Sequence, residues 1–130
     1  HHLLETPGLK AFVAAFPKKY GKPPENQAWG EYVAMKSVAQ AVSETKSTDS
    51  SKIVSYFESG AKLDLLKSRP GYFRASDHQL MHEMYAVTGL PADKIKNQWD
   101  IFISSPSVPS ADEPLELLDT DEKSCAFPPT

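Results

Sequence analysis

The chain has 130 residues, and what it is short of excludes several protein classes. It has one cysteine, Cys125, so neither an internal disulfide nor a cysteine-only metal site can form. No apolar run approaches the roughly 18 residues that a membrane-spanning helix needs. Basic residues are not in surplus: 14 Lys+Arg stand against 17 Asp+Glu, a formal net charge of −3, whereas a nucleic-acid binder presents a basic face. There is no G-x-S-x-G elbow, no phosphate-cradling Walker loop and no dinucleotide glycine set, so an autonomous enzyme is not expected. The sequence does not open with methionine or with a basic-then-apolar leader, and it starts His1-His2; a processed or partial polypeptide is the expectation.

What is present is ordinary in amount and uneven in placement. Hydrophobic residues make up 40% and charged residues 24%, enough for one core that buries about two-thirds of the unfolded surface. Asp112, Glu113, Glu116, Asp119, Asp121 and Glu122 form an acidic run opposed by Lys123 alone. Pro106, Pro109, Pro114, Pro128 and Pro129 fall in the same stretch. The chain therefore divides into residues 1–103, expected to fold, and residues 104–130, expected as a proline-rich, acidic, extended tail.

Three helices are predicted first. Thr6-Pro7 marks a helix start, and Leu9, Phe12, Val13, Phe16 and Tyr20 follow at helical spacing. Pro17 removes a hydrogen bond to the Val13 carbonyl, and Gly21 with Pro23-Pro24 ends the helix. Asn26 is suited to cap a second helix over residues 27–45. Its apolar stripe of Ala28, Tyr32, Met35, Ala39 and Val42, widened by Trp29, Val33 and Val38, predicts a largely buried helix. The polar loop 47–51 offers caps for a third helix, whose buried face is Ile53, Val54 and Phe57 and whose stop is Gly60.

Short strands are predicted next. Leu63, Leu65 and Leu66 suggest one, broken by the Arg69-Pro70-Gly71 turn; Tyr72-Phe73-Arg74 is a short extended piece. Residues 80–88 suggest another strand, and the alternation of Trp99, Ile101 and Ile103 a last one. The fold class is α/β, three helices followed by short strands. Little of the sheet that these helices need lies within the chain.

Candidate chemistry is sparse. His78 and His82 are four apart, a zinc spacing on a helix, but in a strand that spacing separates them by about 13 Å and fixes no third ligand. Structural histidines are the stronger reading, with a metal-dependent enzyme using His78 and His82 as the lesser alternative. Arg69 and Arg74 flank a Pro-Gly turn holding Tyr72 and Phe73; a hairpin with inward aromatics and solvated arginines is favoured over an anion site. Trp29 and Tyr32 read as core, although a helix start also presents free amides to polar or anionic groups.

The segments Phe12-Val13-Ala14-Ala15-Phe16 through Lys18-Lys19-Tyr20-Gly21-Lys22-Pro23-Pro24, then Tyr32-Val33-Ala34 running to Ala39-Gln40-Ala41-Val42, form an ordered pair. The Ser47-Thr48-Asp49 loop before a short 53–57 helix, and Tyr72-Phe73-Arg74 with Asp77-His78-Gln79, extend the pattern. From Leu9 to Phe102 this resembles the C-terminal portion of a type I periplasmic solute-binding protein, the receptor of ABC importers for branched-chain amino acids and related solutes. The resemblance implies a share of a two-lobed α/β fold with hinge-crossing strands. It implies binding of an amino acid or similar small acid or amide without bond chemistry, an extracytoplasmic location and a membrane permease as partner. It also implies ligand contacts at Asn26, Gln27 and Trp29. No metal and no cofactor are implied, and the remainder of a parent chain or a second copy is expected against the helices. A ligand-sensing domain of a signalling receptor with the same architecture is the other functional class that the resemblance admits.

Overall fold

The computed structural model describes residues 2–118, Leu118 by its backbone alone. The Cys125 thiol and the later part of the acidic run lie outside the described residues. Three helices come first: α1 over Pro7–Tyr20, α2 over Asn26–Thr45 and α3 over Ser50–Glu58. Four short strands follow: β1 over Tyr72–Phe73, β2 over Leu80–Met81, β3 over Met84–Gly89 and β4 over Phe102–Val108. Among the described residues no helix is long and apolar enough to cross a membrane.

The boundaries have local causes. Pro7 sits in the first turn of α1, where its missing N–H costs nothing. The Thr6 hydroxyl does not cap this helix as expected; it donates to the Leu66 carbonyl and ties the helix start to the core. Helix α1 continues through Pro17 for three residues. It stops where Gly21 turns left-handed at φ 71° and donates its N–H to the Pro17 carbonyl at 2.8 Å. Asn26 is not the cap of α2 but its first helical residue, with Glu25 in the cap position and no side-chain cap bond. Asp49 does cap α3, accepting from the Lys52 amide at 3.1 Å.

The largely buried α2 of the sequence reading is corrected. Its buried stripe is Val33, Ser37 and Ala41 at four-residue spacing, with Trp29 half-buried a turn earlier. Tyr32, Met35 and Val38 face outward, Met35 at 69% exposure. An apolar arc wider than the available partner leaves its margin uncovered. Helix α1 meets it edge to edge through Phe12 and Tyr32, whose ring centroids lie 4.9 Å apart.

The core is Leu9, Val33, Leu63, Leu65 and Leu66, flanked by half-buried Trp29, Phe57 and Phe73. Residues 63–66 are not the strand the leucines suggested. Leu63 makes one antiparallel bridge with Gly71, and then the Asp64 carboxylate takes the Leu66 amide at 2.9 Å while Leu66 turns to φ 62°. A side chain that captures a backbone amide two residues on replaces a ladder bond with a turn. Three leucines thereby enter the core from irregular chain, and Gly8 lets α1 approach: a Cβ there would lie 3.1 Å from Leu66 Cδ2 and 3.2 Å from Leu66 Cα.

The strands form two separate antiparallel pairs, β1 with β2 and β3 with β4. The single strand expected over 80–88 is divided by His82 and Glu83. The last strand starts at Phe102 rather than Trp99, because the Asn97 side chain accepts from the Trp99 and Asp100 amides at 2.9 and 3.0 Å and folds that stretch into a turn. It then runs to Val108, which corrects the expectation of coil from Ser104. Pro106 is tolerated because β4 is paired on one side only. The register runs from Met84 opposite Val108 to Gly89 opposite Phe102 and shifts between Tyr85 and Val87, where the Ser105 hydroxyl accepts the Ala86 amide at 3.0 Å.

Candidate binding cleft

A cleft of about 290 Å³ lies where the starts of α1 and α2 meet residues 66–67 and the β3–β4 ribbon. Its walls are mainly apolar, with Leu9, Leu66, Val87 and Phe102 among them, and Asn26, Lys67 and His82 bring the polar atoms. Of the three residues expected to contact ligand, Asn26 and Trp29 line this cleft. Gln27 is exposed and not part of the lining.

Trp29 is held by its own hydrogen bond, the indole N–H donating to the Leu65 carbonyl at 2.8 Å. Its ring meets the His82 imidazole edge-on at 5.9 Å. The Lys67 ammonium stands 4.8 Å from the centroid of that indole and 5.5 Å from that of Tyr85, within the range of cation–π attraction. It donates to the Glu83 carbonyl, and its Nζ lies 2.8 Å from His82 Nδ1, which itself donates to the Glu83 carbonyl at 2.7 Å. Burial pulls the Lys67 ammonium down to a pKa of about 8, with the nearby Glu83 charge working the other way. Burial likewise holds the His82 imidazole below its usual value, and the Lys67 charge adds to this against the pull of the Glu83 carbonyl.

Behind the cleft sits Glu83, 1% exposed. Its carboxylate accepts from the Ser68 amide at 2.7 Å, from the Ser68 hydroxyl at 2.6 Å and from the Tyr85 hydroxyl, with Arg69 Nε at 3.8 Å. Burial alone would raise the Glu83 carboxyl, but the bonds from Ser68 and Tyr85, with the Lys67 charge, outweigh it and hold the group below the usual carboxylate range. Tyr85, half-buried and donating to a carboxylate, is pushed up to about 12. Nothing in the sequence flagged Lys67 or Tyr85. The one available signal was Glu83 beside His82 in a segment otherwise apolar enough to be buried.

The arginines are not solvated as expected. Arg69 donates to the carbonyls of Glu113 at 2.6 Å and Pro109 at 3.2 Å, strapping the exit of β4 to the turn before β1. Arg74 forms a two-point bond with Asp77, which draws the Asp77 carboxyl down to about 2. Of the aromatics between them Phe73 packs inward, 5.1 Å from Phe57, while the Tyr72 ring lies 4.4 Å from the Lys62 ammonium.

His78 and His82 have separate partners. His78, at φ 56°, bonds Glu58 at 2.7 Å, while His82 donates from Nδ1 to the Glu83 carbonyl at 2.7 Å, at the cleft. Among the described residues no three metal-ligating side chains come together.

Apolar walls around a few fixed polar groups, where the starts of two helices meet a β-ribbon, form a cleft of the kind that takes a small molecule. The sequence matches the profile described as periplasmic binding protein over residues 2–94, and the chain belongs to that family, of the type I fold. It superposes on the crystal structure of a branched chain amino acid ABC transporter periplasmic ligand-binding protein from Burkholderia xenovorans LB400, with a TM-score of 0.68 and 29% sequence identity. That match covers 78% of this chain and 26% of the other, so the chain spans about a quarter of that protein's length. No curated protein matches the chain.

Proposed function

We propose that this chain serves in an extracytoplasmic solute-binding protein of an ABC importer, binding an amino acid or a similar small organic acid or amide without changing its bonds. The observation that carries the reading is the cleft: apolar walls over a floor of oriented polar groups, in a chain of the periplasmic binding protein family. Asn26 and Trp29, from the first turn of α2, contact the solute at the cleft edge. Residues up to the end of β4 at Val108 contribute to one lobe and to the hinge strands. The outward apolar residues of α2 pack on the remainder of a two-lobed fold or on a second copy. A membrane permease receives the solute, and closure is driven by the attraction of both lobes for the solute held between them.

Isothermal titration of the chain with branched-chain amino acids, their amides and aromatic acids tests this. Saturable binding of one chemical class is expected. Absence of binding across all three classes refutes the reading.

A further inference from the structure

The charges around the cleft do not cancel, and their imbalance selects among small acids. An ammonium has three donors, and Lys67 spends one of them on a neutral acceptor, the Glu83 carbonyl; His82 Nδ1, 2.8 Å away, is itself a donor to that carbonyl. Among the described residues Lys67 makes no ion pair. The neighbouring Glu83 carboxylate is already engaged by Ser68, Tyr85 and Arg69. Lys67 and Arg69 against Glu83 leave one positive charge in surplus, and that charge is the one lining the cleft. Among the described residues no Asp or Glu is part of the cleft lining.

We infer that Lys67 is the specificity-determining anchor for a carboxylate, and that the preferred solute is an apolar-bodied monocarboxylic acid without an ammonium group. This deepens the solute-binding reading and rests on it. A Lys67 donor not used by the Glu83 carbonyl bonds the ligand carboxylate, a charge-assisted contact in a largely apolar setting. Leu9, Leu66, Val87 and Phe102 receive the hydrocarbon body. The α-ammonium of an amino acid enters beside a like charge with no carboxylate to accept it, and its desolvation goes uncompensated. The same site discriminates against a neutral amide, which leaves the Lys67 charge without a counter-ion.

Three probes with one carbon body separate these cases: 4-methylpentanoate, 4-methylpentanamide and leucine, each titrated calorimetrically into the full chain. The acid is expected to bind about tenfold or more tighter than either of the others, the scale of one charge-assisted hydrogen bond. Lys67→Met is expected to erase that preference by weakening the acid about tenfold while leaving the amide within about threefold; Lys67→Arg keeps the preference. Circular dichroism checks that each variant is folded, and the ranking of the three probes on the unsubstituted chain tests the inference without any variant. Leucine binding more tightly than the acid overturns the inference while the solute-binding reading stands. Equal acid affinity in the unsubstituted chain and Lys67→Met overturns it too. Failure of all three probes overturns the inference, and the wider ligand panel then decides the reading beneath it.

Discussion

Removal of the Glu83 carboxylate is the sharpest test of how this small body holds together. Glu83 is 1% exposed and gathers hydrogen bonds from the Ser68 amide, the Ser68 hydroxyl and the Tyr85 hydroxyl, with Arg69 beside it. Hydrogen bonds to a charged acceptor contribute about 1.5–3 kcal/mol each, and breaking a buried ion pair by deleting one partner costs about 3–5 kcal/mol. The contributions overlap, so Glu83→Ala is expected to lose about 3–5 kcal/mol. For a chain of this size that is a fall of roughly 10–20 °C in melting temperature. Glu83→Gln keeps the shape and one acceptor, and its loss is about 1–2 kcal/mol. Urea unfolding followed by circular dichroism at pH 7 measures both. The folded-state pKa of Glu83 lies below its ordinary 4.5, so its contribution is complete above pH 4.5 and disappears as pH falls through the lower folded value. The gap between the unsubstituted chain and Glu83→Gln therefore narrows in acid. A Glu83→Ala loss under about 1 kcal/mol, or a gap to Glu83→Gln that is unchanged at pH 3, would refute the reasoning.

Other perturbations probe separate parts of the body. Gly71→Ala places a Cβ 2.5 Å from Leu65 Cδ1 and 2.7 Å from the Met81 carbonyl oxygen; the second contact is backbone and cannot swing away. A loss of about 1–3 kcal/mol in the urea midpoint is expected. Asp49→Ala removes the cap of α3 and costs about 1 kcal/mol, seen as a lower melting temperature with little change in the folded-state spectrum. In alkali the unfolded chain holds the Lys67 proton up to an ordinary 10.5 and the folded chain only to about 8, so stability rises from pH 8 to 10. Above pH 10 Tyr85 reverses the trend, since its folded pKa of about 12 exceeds its ordinary 10.0. Urea midpoints at pH 7.5 and 9.5 check this, and Lys67→Met shows no rise.

The helices were readable because their signals are local. Thr6-Pro7, Gly21, Asp49 and Gly60 punctuate the chain within a residue or two of where α1 and α3 begin and end. Burial was not readable in the same way. The spacing of Tyr32, Met35 and Val38 is that of a core stripe, yet which side of a helix is covered depends on what stands beside it. The 63–66 stretch misled because three leucines look like a strand wherever they fall; the Asp64 turn that prevents pairing is a tertiary outcome. At the cleft, Asn26 and Trp29 came from the family resemblance. Lys67, Glu83 and Tyr85 are brought together by the return of the chain after the β1–β2 hairpin, a distance of 15 residues or more that no periodicity encodes.

Arg69 reaches carbonyls 40 and 44 residues further along the chain, at Pro109 and Glu113. Bonds that close so long a segment form after local helices and hairpins, because the ends must first be carried together. One guanidinium thus acts as the final latch of folding, fastened once the ribbon has zipped. Tension applied beyond Glu113 meets that latch before it reaches the β3–β4 rungs.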